Sequence, residues 1–234
     1  MKYLYETHLH TSHVSACSRA TSADHVKAYK RMGYAGIIVT DHFVNGNSSC
    51  PRNLPWNDKM RFIVSGYEKA KIEGDKCGLD VFLGWEYVSG KAEYLTYGLG
   101  LDFLLAHPQL GRMIIEDYSA LVRRHGGYIA QSHPFRVDLY FNSSPAEPSL
   151  LDGFEVYNAS MPDKFNEKAF AFANLHNLPM QAGSDAHTAD GSLASGIILK
   201  KKATDIFDII KAIKSRQTTL ILPEHTTLQN GFNT

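Results

Sequence analysis

Near the start of the chain, Glu6-Thr7-His8-Leu9-His10 sets two histidines two positions apart, directly after the apolar run Tyr3-Leu4-Tyr5. On an extended strand the side-chain period is two, so His8 and His10 point to one side and can grip one metal ion together. A lone His-x-His also arises by chance and from ordinary core packing. Here, however, further metal-type residues recur along the chain at the ends of expected strands: His42, Glu86, His133, Asp185 and His187. Imidazole nitrogens mixed with carboxylates suit zinc, manganese or iron. A carboxylate such as Glu86 can bridge two ions about 3.5–4 Å apart, and such a pair makes hydroxide from water near neutral pH and clamps phosphoryl oxygens. Such chemistry needs no side-chain nucleophile, and no Gly-x-Ser-x-Gly elbow or other triad signature is present.

The elements that must position these residues follow from the apolar spacing. Ser22 is the expected N-cap of a helix running to Met32, with Gly33 as its stop. A strand at Tyr34 to Val39 ends in Thr40-Asp41-His42. A helix over Asp58 to Ile72 precedes a strand at Asp80 to Gly84, which ends in Trp85-Glu86. A short strand at Tyr94 to Leu99, with Glu93 at its start, comes before a helix at Ile114 to Arg124. Tyr128-Ile129-Ala130 leads into Gln131-Ser132-His133-Pro134, and a strand at Gly153 to Val156 ends at Tyr157-Asn158. After a helix from Phe165 to about His176, Leu178 to Ala182 leads into Gly183-Ser184-Asp185-Ala186-His187. Thr204 is expected to cap the last helix, which buries Ile206, Ile209, Ile210 and Ile213.

This alternation of strand and helix, repeated about seven times without a linker, predicts an α/β fold on a parallel sheet with right-handed crossovers. An open doubly wound sheet and a closed barrel both satisfy it. The metal-type residues sit at most of the strand ends and not at one switch point, which favours the barrel, where all those ends meet around one mouth.

Composition narrows the partners. Twenty-four Lys and Arg balance twenty-four Asp and Glu, so no global basic field recruits nucleic acid or an anionic membrane. Cys17, Cys50 and Cys77 are scattered without a Cys-x-x-Cys spacing, which argues against a disulfide framework and suits a reducing compartment. The N-terminus lacks a signal-peptide pattern and no stretch approaches a membrane span, so a cytoplasmic location is expected. Eleven histidines exceed what packing needs and agree with a metal site.

Taken in order, His8-Leu9-His10, Thr40-Asp41-His42, Glu86, Ser132-His133-Pro134 and Gly183-Ser184-Asp185-Ala186-His187 resemble the PHP (polymerase and histidinol phosphatase) family of metal-dependent phosphoesterases, over roughly Tyr3 to Leu199. The resemblance implies one PHP-like domain over 1–234, with a polar tail at 223–234. Its fold would be a distorted, TIM-like (β/α)7 barrel with two or three divalent ions at the mouth. By similarity, His8, His10, Glu86 and Asp185 hold the first ion. Glu86 bridges to a second, also bound by His133, while His42 and His187 hold a third.

The chain departs from the family pattern twice. Where the family usually has a His or Asp for the third ion, Val14-Ser15-Ala16-Cys17-Ser18 offers neither; His13 is displaced, and Cys17 would be an unusual substitute. Where the family usually supplies another His to the second ion, the matching position is Glu93, with His107 as the competing candidate.

The activity that the resemblance implies is hydrolysis of a small phosphorylated substrate, such as histidinol phosphate, a nucleotide or another phosphomonoester, by a hydroxide shared between ions. Nucleic acid is expected only as nucleotides or short oligonucleotides. Asp185 or His187 would protonate the leaving group. Arg19 and Arg136, just past motif ends, would fork onto phosphate. Asp41 is expected to orient a ligand without being one. Two other functions compete: an amidohydrolase-type metal hydrolase of C–N or C–O bonds, and a metal-stabilised binding module without catalysis. The amidohydrolase type commonly carries a bridging carboxylated lysine at a strand end, and no lysine occupies such a place here.

Overall fold

A computed structural model describes residues 1–139 and 141–223. The polar tail expected at 223–234 therefore lies, beyond Pro223, outside the described residues. Strands β1 (Tyr3–Leu9), β2 (Gly36–Val39) and β3 (Asp80–Ser89) are parallel neighbours. Strand β4 (Ala92–Tyr97) runs antiparallel between β3 and β5 (Tyr128–Ser132), and β6 (Gly153–Asn158) and β7 (Met180–Gly183) continue parallel from β5.

Beyond β7 the sheet returns to β1. Leu9 bridges Ala186 in parallel fashion, the Asp185 N–H donates to the His8 carbonyl at 2.8 Å, and the His10 N–H donates to the Ala186 carbonyl at 3.0 Å. Seven strands thus form a nearly closed barrel, the distorted (β/α)7 arrangement expected. At the opposite end the seam is filled by β8 (Gly196–Leu199), antiparallel to the first half of β1, and by β9 (Thr219–Ile221) beyond it.

The even alternation expected from the sequence breaks at β4. Strand β3 does not stop at Gly84 but continues to Ser89, and a tight turn with Gly90 at φ +63° folds β4 straight back on it. A left-handed residue is what such a hairpin turn requires.

Helices α1 (Ser22–Arg31), α2 (Trp56–Cys77), α4 (Ile115–Arg124) and α5 (Asp163–Leu175) coat the barrel, with the short α3 (Leu101–Ala106) between β4 and α4. Helix α6 (Ile206–Lys214) packs Ile209, Ile210 and Ile213 against Tyr5, Tyr97 and Tyr128. Two caps differ from expectation. Thr21, not Ser22, caps α1 through a reciprocal capping box with Asp24, which frees the Ser22 hydroxyl to donate to the Gly66 carbonyl of α2. Asp205, not Thr204, caps α6 by accepting from the N–H groups of Phe207 and Asp208, while Thr204 donates its N–H and hydroxyl to the Asp208 carboxylate.

A polar-tipped layer crosses the barrel lumen. The Tyr97 hydroxyl of β4 donates to the Thr7 carbonyl of β1 and accepts from Gln181 of β7, whose amide oxygen accepts from Tyr128 of β5. Strands three positions apart around a seven-strand barrel can touch only across its interior. This layer is the floor on which the strand-end residues stand.

Candidate metal centre

Strand β1 delivers His8 and His10 with both Nε2 atoms turned inward, 3.1 Å apart. Each ring is set from behind. The His8 Nδ1 lies 2.9 Å from Glu155 Oε1, and because a carboxylate only accepts, that nitrogen carries the proton. The Ser15 hydroxyl spends its hydrogen on Asp41 Oδ1 at 2.7 Å, so the His10 Nδ1–H donates to Ser15 Oγ at 3.2 Å. In both histidines the Nε2 lone pair then faces the cup, as metal ligation needs.

Glu86, fully buried on β3, lies at the centre. Its Oε1 is 3.3 Å from His8 Nε2 and 3.1 Å from His133 Nε2, while its Oε2 is 3.0 Å from His42 Nδ1 and 3.5 Å from His10 Nε2. One carboxylate therefore stands between two pairs of imidazoles. Asp185 Oδ1 closes the ring at 3.1 Å from His10 Nε2 and 3.5 Å from His8 Nε2. Glu93 of β4 reaches the same cup, 3.5 Å from His133 Nε2 and 3.8 Å from His42 Nδ1. His187, three-tenths exposed, stands at the rim with its ring stacked 4.6 Å from that of His10.

These donors group into four clusters whose ligand atoms lie within 4.8 Å of one another: His8, His10 and Asp185; His8, Glu86 and His133; His42, Glu86 and Glu93; and His10, His42 and His187. Two donors each 2.0–2.1 Å from one ion stand about 2.9–3.4 Å apart, so the observed separations suit shared coordination. The His42 Nδ1 and Glu86 Oε2 atoms are both buried and, despite their 3.0 Å approach, neither makes a hydrogen bond among the described residues. The His133 Nδ1 is likewise buried without a partner. Buried polar atoms are almost always satisfied, and lone pairs aimed at one another call for a cation between them.

Charge agrees. Burial would strip the proton from His8, but Glu155, Asp185 and Glu86 outweigh it and raise the ring's pKa well above the usual value. Burial, with the Glu86 charge added to it, pushes Glu93 up to about 7. Burial and the neighbouring His42 push His10 the other way, well below the usual imidazole range. Against the effect of burial, Cys17 and Glu86 raise His42, and Glu86, Glu93 and Asp185 raise His133, so the carboxylates draw cations into the cup, and divalent ions fit its donor set. His133 and Asp185 also hold left-handed backbone, at φ +26° and +54°, a strained state typical of residues aimed at a ligand.

The remaining candidates separate. Asp41 is buried and, besides Ser15, accepts from the Thr11 N–H and hydroxyl, so it holds the loop that orients His10. His107 caps the end of α3, with Nδ1 on the Phe103 carbonyl and its ring against His125, and takes no part in the four clusters. His13 turns outward to Lys69. Arg136 approaches through Glu93, with Nη1 3.1 Å from Glu93 Oε2 and Nε 2.7 Å from Asp138. Arg19 stays on the flank, in a cleft of about 430 Å³ shared with Lys27, Arg31 and Thr188.

Sequence reasoning missed two supporting carboxylates. Glu155, buried on β6, accepts from His8, from the His133 N–H and from Asn158. Glu6 accepts from the N–H groups of Thr7, His8 and Ser184 and from the Tyr29 hydroxyl, stapling β1 to the loop that carries Asp185. The available signal was a glutamate inside an otherwise apolar strand, Phe154-Glu155-Val156, since a lone charge is seldom buried without partners.

The family model described as PHP-associated matches residues 163–218. Among solved structures, the chain is similar to a two-domain protein from Bacteroides vulgatus containing a predicted PHP-like metal-dependent phosphoesterase (TM-score 0.73, 15% identity, covering 95% of this chain). The chain spans 65% of the length of that protein. It is also similar to PsfC from Pseudomonas syringae (TM-score 0.68, 17% identity, covering 99% of this chain and 96% of that one). An amidohydrolase from Chromobacterium violaceum, with bound sulfate and no metal, matches at a TM-score of 0.59 and 14% identity, covering 89% of this chain and 96% of that one. No curated protein matches the chain by sequence. The chain thus shares the fold of solved PHP-like metal-dependent phosphoesterases, and its residues 163–218 match the PHP-associated family model.

Proposed function

We propose that the protein is a metal-dependent phosphoric ester hydrolase acting on a small phosphorylated substrate, with two to three divalent ions (zinc, manganese or iron) held by His8, His10, His42, Glu86, Glu93, His133, Asp185 and His187. The observation that carries this reading is Glu86, whose two oxygens each face a separate pair of imidazoles. Bound ions would supply a hydroxide nucleophile and neutralise charge on the phosphoryl oxygens.

The chain's own residues have distinct tasks. Glu86 would offer one oxygen to each of two ions, and Glu155, directly, and Asp41, through Ser15, keep the tautomers of His8 and His10. Asp185 is held well below the usual carboxylate range, burial notwithstanding, by His8 and His10, so it acts as an anionic ligand and not as the acid. His187 stands at the rim and, against the effect of burial, is raised to about 9 by Cys17 and Asp185. It is the proton donor to the leaving alcohol whenever no ion claims its Nε2. Arg136, anchored on Glu93, can turn one edge of its guanidinium to a substrate phosphate. Arg19 and the basic cleft beside it would receive the substrate's distal portion.

The likeness to an amidohydrolase keeps C–N or C–O hydrolysis as the second reading. Protein purified without chelator is analysed for metal, then assayed on p-nitrophenyl phosphate, a phosphomonoester panel and an amide and lactone panel. Phosphate release that is lost in Glu86→Gln is expected. Turnover confined to amides or lactones supports the second reading. Metal stabilisation with no turnover on any panel supports a binding module instead.

A further inference from the structure

Cys17 stands beside the His10, His42 and His187 group at the outer edge of the cup. Its Sγ lies 3.0 Å from His187 Nε2, and His42 is its other imidazole neighbour. The His187 Nδ1 is engaged by the Asp185 carbonyl at 2.8 Å, which directs the Nε2 at the sulfur. The loop backbone is pinned on both flanks of the thiol. The Ala16 N–H donates to the Asn47 carbonyl, the Ser18 hydroxyl donates to the His10 carbonyl, and the Arg19 N–H donates to the His187 carbonyl. The rings of His42 and His187 both stack on His10, and the ligand nitrogens of all three lie within 4.8 Å of one another.

We infer that Cys17 is the thiolate ligand of the outer metal site, completing a Cys17–His42–His187 set. This rests on reading the cup as a metal centre. Zinc bonds of about 2.3 Å to sulfur and 2.0–2.1 Å to nitrogen at a tetrahedral angle put the two donors about 3.6 Å apart. Cys17 and His187 therefore part by about half an ångström on binding, an adjustment open to an exposed thiol and a rim imidazole. The thiol proton passes to solvent as the metal–sulfur bond forms. A thiolate makes this site softer than the carboxylate-rich inner one, so the outer site selects zinc or cobalt over manganese.

The test loads the full chain with cobalt(II) and reads absorption. A near-ultraviolet thiolate-to-cobalt band is expected in the unaltered protein and in Cys77→Ser, and its loss in Cys17→Ser, with the visible cobalt bands of the inner site retained. A second readout needs no variant. In the zinc-loaded protein, alkylation of Cys17 followed by peptide mass spectrometry should slow by roughly tenfold or more, because a coordinated thiolate is not free to attack, while exposed Cys77 reacts as before. Visible cobalt bands without a sulfur band, or equal alkylation of Cys17 with and without zinc, overturn the assignment and leave the inner centre standing. Failure to bind any metal overturns both.

Discussion

Single residues behind the cup decide whether its nitrogens are usable. Glu155 accepts on both oxygens, from His8 Nδ1–H on one and from the His133 N–H and Asn158 on the other. An amide has only one acceptor, so Glu155→Gln must leave one set of donors facing an NH2 group. Metal affinity is expected to fall about 10- to 100-fold, as for other carboxylates that orient ligating histidines, with the far-ultraviolet circular dichroism unchanged. Chelator competition measures it, and an unaltered affinity would remove Glu155 from this role. His25 tests a different balance. It is buried under the loop, with Nε2 donating to the His10 carbonyl, and burial pushes its pKa down to about 4. In the unfolded chain an imidazole titrates near 6.5, so between about 6.5 and about 4 the unfolded state binds the extra proton and stability falls as pH falls. Urea denaturation of metal-free protein should show wild type losing on the order of 3 kcal/mol relative to His25→Gln across that window. Parallel pH curves for the two would contradict it.

The elements position these residues through close backbone contact, and α2 shows it best. Gly66 leaves room for the Asp41 carboxylate and the Thr11 hydroxyl to rest on the helix, where a Cβ would run into both. Alanine gains up to about 1 kcal/mol of helix propensity over glycine, whereas overpacking costs about 1–3 kcal/mol, so the clash wins. Gly66→Ala is expected to lower stability by roughly 1–2 kcal/mol in urea denaturation and to weaken metal binding through Asp41, Ser15 and His10. Gly100→Ala, whose Cβ would meet nothing, should leave metal binding unchanged. Most of this scaffold could be read from the sequence because the parallel strands are short apolar runs such as Gly36 to Val39, each followed by its ligand. The hairpin could not be read so readily. The second half of β3, from Trp85 to Ser89, mixes aromatic, charged and small residues as a strand must when one face lines a polar cup and the other a core, and the apolar-run criterion ends it too early. Ser89-Gly90 was the turn signal that would have corrected it. Strands β8 and β9, of 4 and 3 residues, are defined by pairing with distant partners and carry almost no local pattern. The same limit hid Glu155: nothing local says that its carboxylate meets a histidine from the other end of the chain.

At the scale of the whole molecule, ions bound in the cup would act as cross-links. Their donors come from β1, from the loops after β2, β5 and β7, and from β3 and β4, and the His8–His10–Asp185 group spans β1 and the end of β7, which the sheet joins only at the seam between Leu9 and Ala186. Without ions the closed barrel must keep Glu86, Asp185 and Glu155 buried beside a histidine whose proton offsets only part of their charge. A ligand that binds only the folded state stabilises it by RT ln(1 + [L]/Kd), about 4 kcal/mol at a thousandfold excess over Kd. For a chain of this size each kcal/mol is worth roughly 2–4 °C in Tm. Stripping the protein with chelator should therefore lower Tm by roughly 8–16 °C relative to the zinc-loaded form, and restoring zinc should bring it back. His8→Ala, which removes a donor shared by two of the clusters, should lose most of that metal-dependent shift, with its metal-free Tm set against that of the stripped wild type. Calorimetry of the stripped and reloaded protein provides the measurement. Equal Tm values in chelator and in zinc would mean that the cup closes without cations, and the convergence of its donors would then need another cause.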